Sequence, residues 1–114
     1  MSDPQPILEP DHCYHIFNHA VGHENLFEND TDYLYFLKKL RLYVVPVCEV
    51  LSYCLLPNHF HLAIRIKSER KVEEFLETKY DRGKIEILKE SNKYFFSEQI
   101  SKSFSNLFNT YSKY

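Results

Sequence analysis

The spacing of apolar positions changes several times along this chain, and each change marks an element. Residues 1–11 hold three prolines and no periodic pattern, so they read as an extended arm ahead of one domain over 12–114. Cys13-Tyr14-His15-Ile16-Phe17-Asn18-His19-Ala20-Val21 is rich in aromatic and β-branched residues and stops at Gly22, which predicts a strand. His23 to Asn29 reads as a connection. Asn29 or Asp30 suits a helix cap, with Asp32 in the first turn. Tyr33, Phe36, Leu37, Leu40 and Val44 then recur at helical spacing. Lys38, Lys39 and Arg41 fall toward the end of that helix, where its dipole favours positive charge, and Pro46 closes it.

Val47 to Leu55 is apolar apart from Glu49 and Ser52 and predicts a second strand, and Leu56-Pro57-Asn58 makes a tight reversal. His59 to Lys67 alternates cleanly: Phe60, Leu62, Ile64 and Ile66 face one way, His59, His61, Ala63, Arg65 and Lys67 the other. Ser68 caps a second helix with an inward stripe of Val72, Phe75 and Leu76. Residues 81–94 are mostly polar with Gly83 as a breaker, and read as a long connection with at most a short ordered piece at Ile85 to Leu88. Ser97 caps a last helix with a stripe of Ile100, Phe104, Leu107, Phe108 and Tyr111. The expected class is α+β: a ferredoxin-like antiparallel sheet with helices on one face. Its order is β-α-β-β-α-(loop)-α, lacking or delaying the last strand.

Composition narrows the class further. A chain of 114 residues suits one small domain, and 44% hydrophobic with 16% aromatic content suits a folded globule rather than a disordered tail. No apolar run approaches the ~20 residues that cross a bilayer, and Met1 to Pro10 lacks the basic and apolar stretches of a signal peptide. Cys13, Cys48 and Cys54 make an odd count without a CxxC pair, so they are expected as reduced thiols of a cytoplasmic protein. The net charge of −2 conceals an asymmetry. Residues 1–37 hold seven acidic and no basic residues, whereas residues 38–114 hold fourteen basic against nine acidic. A polyanion docks more easily on the second part, although an ordinary solvated surface reads the same way.

The candidate chemistry lies on the alternating strand. His59 and His61 leave the same face about 6–7 Å apart along the chain, and Phe60 and Leu62 anchor the opposite face. Two imidazoles so placed can converge on one metal ion, and a strand holds them more precisely than a loop. A third ligand must come from elsewhere, with water or substrate oxygens filling the rest. Glu49, His15 and His19 are candidates, and the register that would place Glu49 on this face is open. His12 and His23 read as solvated residues on connections.

Leu55-Leu56-Pro57-Asn58-His59-Phe60-His61-Leu62 resembles the signature of the REP-associated tyrosine transposases, insertion-sequence-200-like members of the HUH (His-hydrophobic-His) superfamily. Tyr14 to Gly22 resembles that family's first strand, Asn29 to Leu42 its following helix, and Phe104 to Tyr111 a later one. The resemblance implies metal-dependent cleavage and rejoining of single-stranded or hairpin DNA in DNA transposition. It implies a 5′-phosphotyrosine intermediate and a magnesium or manganese ion as cofactor; no membrane partner is expected from the lack of a long apolar run, and a homodimer is open as the assembly. On it, His59 and His61 are the metal ligands. Arg65 and Lys67, and with them Lys102 and Lys113, are candidate but unspecific DNA phosphate contacts.

The nucleophile does not carry over. The family's tyrosine is followed four residues later by Asn or Gln, whereas Tyr80 is followed by Lys84 and Tyr94 by Glu98, and Tyr111 and Tyr114 have no residue at that offset. Tyr111 reads as core packing, and Tyr114 as a fraying terminal residue. The expectation is a domain that stops before its catalytic tyrosine and third ligand. The family also commonly has basic residues where this chain has His19 and His23, which would strengthen phosphate contacts only at acidic pH. Two rival readings stand beside the enzyme: a non-catalytic DNA-binding remnant of such a transposase, and a structural metal-binding or interaction module unrelated to DNA.

Overall fold

A computed structural model describes residues 7–19 and 25–113 of the chain, with the side chains of His19 and of residues 112 and 113 left aside. The order is β1 (Cys13–His19), α1 (Asp30–Tyr43), β2 (Cys48–Leu56), β3 (His59–Ile66), α2 (Glu69–Leu76), α3 (Arg82–Ser91) and α4 (Phe95–Lys113). The strands form one antiparallel sheet in the order β1-β3-β2. The α+β class is therefore as the alternation predicts, and the strand order is compatible with a ferredoxin-like arrangement.

The histidine strand is the central one, paired on both sides. Its inward residues Phe60, Leu62, Ile64 and Ile66 are all buried. The helices cover that face alone: Phe60 meets Phe36 of α1 at a ring separation of 5.0 Å and Phe108 of α4 at 5.8 Å. The same core takes Val44, Val47, Val72, Leu76, Ile85, Ile100 and Leu107. Burial of this many aliphatic and aromatic side chains is what holds so small a sheet.

Capping follows the local sequence in α1 and α2. Asn29 accepts the Asp32 amide, and Ser68 accepts that of Lys71. Two expectations change. The stretch expected as a connection is mostly the ten-residue helix α3. Asp81 caps it by accepting the Lys84 amide at 2.8 Å, and its polar residues form a solvated face while Ile85 is buried. Gly83 sits in the first turn, where it does not interrupt the helix. The last helix also starts two residues before Ser97, so Ser97 is not its cap. Its hydroxyl instead accepts the amide of Leu8 at 2.9 Å, and Leu8 is itself buried in the core. The end of the N-terminal arm is thus fastened to α4. Tyr14 adds to this, its hydroxyl donating to the Ile7 carbonyl and accepting from the Glu9 amide. Ala20 to Gly22 and His23, predicted to end the first strand and begin a connection, lie outside the described residues.

Candidate metal centre

Pairing register decides which side chains share the open face of the sheet. On the β1 side, His15 lies opposite Ala63, Phe17 opposite His61 and His19 opposite His59. On the β2 side, Glu49 lies opposite Arg65, Ser52 opposite Ala63, Cys54 opposite His61 and Leu56 opposite His59. A bulge between Val50 and Ser52 takes up one extra residue. Without it, the alternation set by Glu49 would have turned Tyr53 and Leu55 toward the histidines; with it, Cys54 and Leu56 take those places.

The predicted ligands are brought together. The rings of His59 and His61 have centroids 5.1 Å apart at an interplanar angle of 90°. Each ring is held through its Nδ1. His59 Nδ1 lies 2.8 Å from Oδ1 of Asn58. His61 Nδ1 lies 2.8 Å from Nε2 of His15, with the two rings stacked at 4.9 Å. Phe17 covers the His15–His61 pair from β1, 61% exposed and 5.2 and 6.0 Å from the two rings. Among the described residues, Nε2 of His59 and of His61 makes no hydrogen bond, and both side chains are partly exposed.

The candidates for a third ligand separate. Glu49 does share the face, but it stands four residues along β3 from His61, about 13 Å away. It pairs there with Arg65 at 3.8 Å. His15 is in contact with the site but engages His61 itself. His19 is opposite His59 by register, and its side chain is outside the described set. Among the described residues, no group of three or more His, Cys, Asp and Glu is arranged to hold a metal ion. Two imidazoles with free Nε2 atoms are nevertheless a chemically competent partial donor set. Imidazole suits zinc, iron, nickel and copper better than magnesium or manganese, so an ion of the latter kind would take its remaining positions from water or substrate oxygens.

The cations expected to meet DNA are dispersed. Arg65 is on the open face but lies between two carboxylates, Asp11 at 3.5 Å and Glu49 at 3.8 Å. Asp11 reaches it from a left-handed backbone position, φ 64°, that aspartate tolerates. Lys67 follows the strand, its amide bonded to the Val47 carbonyl. Lys102 is exposed on α4, in the helical layer, and the Lys113 side chain lies outside the described residues.

No tyrosine occupies the histidine face among the described strand positions, since Tyr14 and Tyr53 alternate to the other side. Tyr111 belongs to the helical layer, as its place on the apolar stripe predicts. It packs on Phe27 and Phe36, and its hydroxyl donates to the Leu26 carbonyl. The amides of Leu26 and Phe27 in turn donate to the Pro57 carbonyl at 2.7 and 3.0 Å, so the end of α4 is coupled to the turn before His59. Tyr114 lies outside the described residues. Sequence spacing had no signal for His15 as the partner of His61, because a hydrogen bond across 46 residues depends on strand order, and Asn58, next to His59 in sequence, reads there only as a turn residue. Comparison of the chain with protein-family models, with curated proteins and with solved structures gave no match.

Proposed function

We propose that this domain binds a divalent metal through His59 and His61 and acts on single-stranded or hairpin DNA, as a transposase of the histidine-hydrophobic-histidine type. The observation that carries the reading is the pair of neighbouring imidazoles on one face of the central strand, 5.1 Å between ring centroids, each with its Nδ1 engaged and its Nε2 without a hydrogen bond among the described residues. The resemblance of Leu55 to Leu62 to the transposase signature supplies the substrate class. Manganese or magnesium is the ion this implies. Once bound, such an ion supplies Lewis acidity toward a phosphodiester oxygen. The chain's own contribution is to hold two imidazole donors on the central strand, on a face that no described helix covers. The cytoplasm, where DNA and reduced thiols coexist, is the fitting compartment, and a homodimer fits the reading.

A second reading is favoured by one observation. The histidine face carries no tyrosine among its described strand positions, and the Tyr111 hydroxyl is engaged by Leu26. On that reading the domain binds metal and DNA but forms no covalent intermediate by itself. Incubation with labelled single-stranded hairpin DNA and Mn²⁺, followed by a denaturing gel, separates the two. A protein–DNA adduct supports the transesterase. Salt-dependent binding without an adduct supports the binding module, and the absence of any DNA binding sinks both.

A further inference from the structure

The two candidate ligands share a feature that their spacing alone does not require. In neutral imidazole one nitrogen carries the proton and the other a lone pair, and a metal takes the lone pair. Asn58 Oδ1 is a pure acceptor, so the contact at 2.8 Å places a proton on His59 Nδ1 and the lone pair on Nε2. His61 Nδ1 meets His15 Nε2 at the same distance. Ligation through His61 Nε2 requires the proton on Nδ1, and the His15 lone pair is there to accept it. Both rings thus keep the same nitrogen, Nε2, for a metal, with their Nδ1 atoms turned to neighbouring partners.

We propose that Asn58 and His15 are positioning residues. Each accepts the Nδ1 proton of the neighbouring imidazole, so that Nε2 of His59 and Nε2 of His61 are the metal-binding atoms. The inference rests on the metal reading above and goes further by naming the donor atoms and what fixes them. Partners of this kind set ring orientation and raise ligand basicity, and losing one typically costs 10–100-fold in metal affinity. His15 is therefore an accessory to the site and not its third ligand. The same face also explains the role of Phe17, whose ring lies against His15 and His61 and restricts how either can turn.

The test is Mn²⁺ and Co²⁺ titration calorimetry on the full chain and on Asn58→Ala, His15→Ala and His15→Gln. Both positions are exposed, so folded variants are expected, and far-ultraviolet circular dichroism checks this. Each alanine variant should bind about 10–100-fold more weakly, and His15→Gln, which restores a carbonyl acceptor, should recover much of the loss. Long-range ¹H–¹⁵N spectra of the Zn²⁺-loaded protein should show metal-bound Nε2 and protonated Nδ1 at His59 and His61, with His15 unligated. Wild-type affinity in both alanine variants, or a metal-bound nitrogen on His15, overturns the inference and leaves the metal reading standing. A wild-type chain that binds neither ion overturns the metal reading and this inference together.

Discussion

Burial makes the three thiols of this chain chemically unlike. Cys48 is fully buried, and burial pushes its thiol up to about 12, with the Lys67 charge drawing it slightly the other way. Cys13 and Cys54 are exposed. Because the thiolate is the reacting form, Ellman's reagent at pH 8 should titrate two thiols quickly in the folded protein and the third only after denaturation. Three fast thiols would contradict the packing around Val44 and Val47. Tyr111 allows a second residue-scale test. Tyr111→Phe removes one hydrogen bond to the Leu26 carbonyl and should lower stability by about 1 kcal/mol, read as a shift in the urea midpoint, with metal binding unchanged. A loss of metal binding there would mean that its hydroxyl serves the site. The ligands His59 and His61 were legible from alternation, because a period of two forces them to one face. Their partners were not, since His15 reaches His61 only through the pairing of β1 with β3.

The helix α3 shows how an element escapes a periodicity argument. Of its apolar residues Ile85 is buried, while Ile87 is 66% exposed, so the stripe is too thin to read. What secures it is charge. Glu73 of α2 accepts from Lys89 at 2.6 Å and from Arg82 at 2.9 Å, and Arg82 also reaches Glu86 at 2.9 Å. The Lys89 hydrogen bond holds the Glu73 carboxyl below its ordinary value of 4.5. Partial burial opposes this, and Arg82 adds to it. The folded state therefore binds fewer protons at Glu73 than the unfolded chain. That contribution is present above the ordinary carboxylate range and is lost as the pH falls through the lowered folded value. Glu73→Gln should accordingly be less stable than the wild type at pH 7, with the gap closing as the pH falls below about 4. A gap independent of pH would show that the ion pairs are not its source. The bulge at Val50/Ser52 was equally hidden, because nothing in an apolar run marks where one extra residue is absorbed, yet it settles which β2 side chains flank the histidines.

At the scale of the molecule, the sheet divides labour between its faces. One carries the core and the helices, and the other, open among the described residues, has the histidines at one end of its central strand. The order of elements, α3 apart, and the choice of buried face were legible, since Phe60, Leu62, Ile64 and Ile66 can only turn inward together. The same strand supports both faces, so damage to the core should reach the site. Leu62→Ala, at a fully buried position directly behind the histidine pair, should cost about 2–5 kcal/mol in denaturant unfolding. A cost under about 1 kcal/mol would place this residue outside a tight core. The central claim is that His59 and His61 together form the metal site. The most direct measurement is Mn²⁺ binding by the wild-type chain compared with His59→Ala and His61→Ala, each confirmed folded. The account predicts saturable binding by the wild type and its loss in both variants. Binding of unchanged affinity in either variant would contradict it.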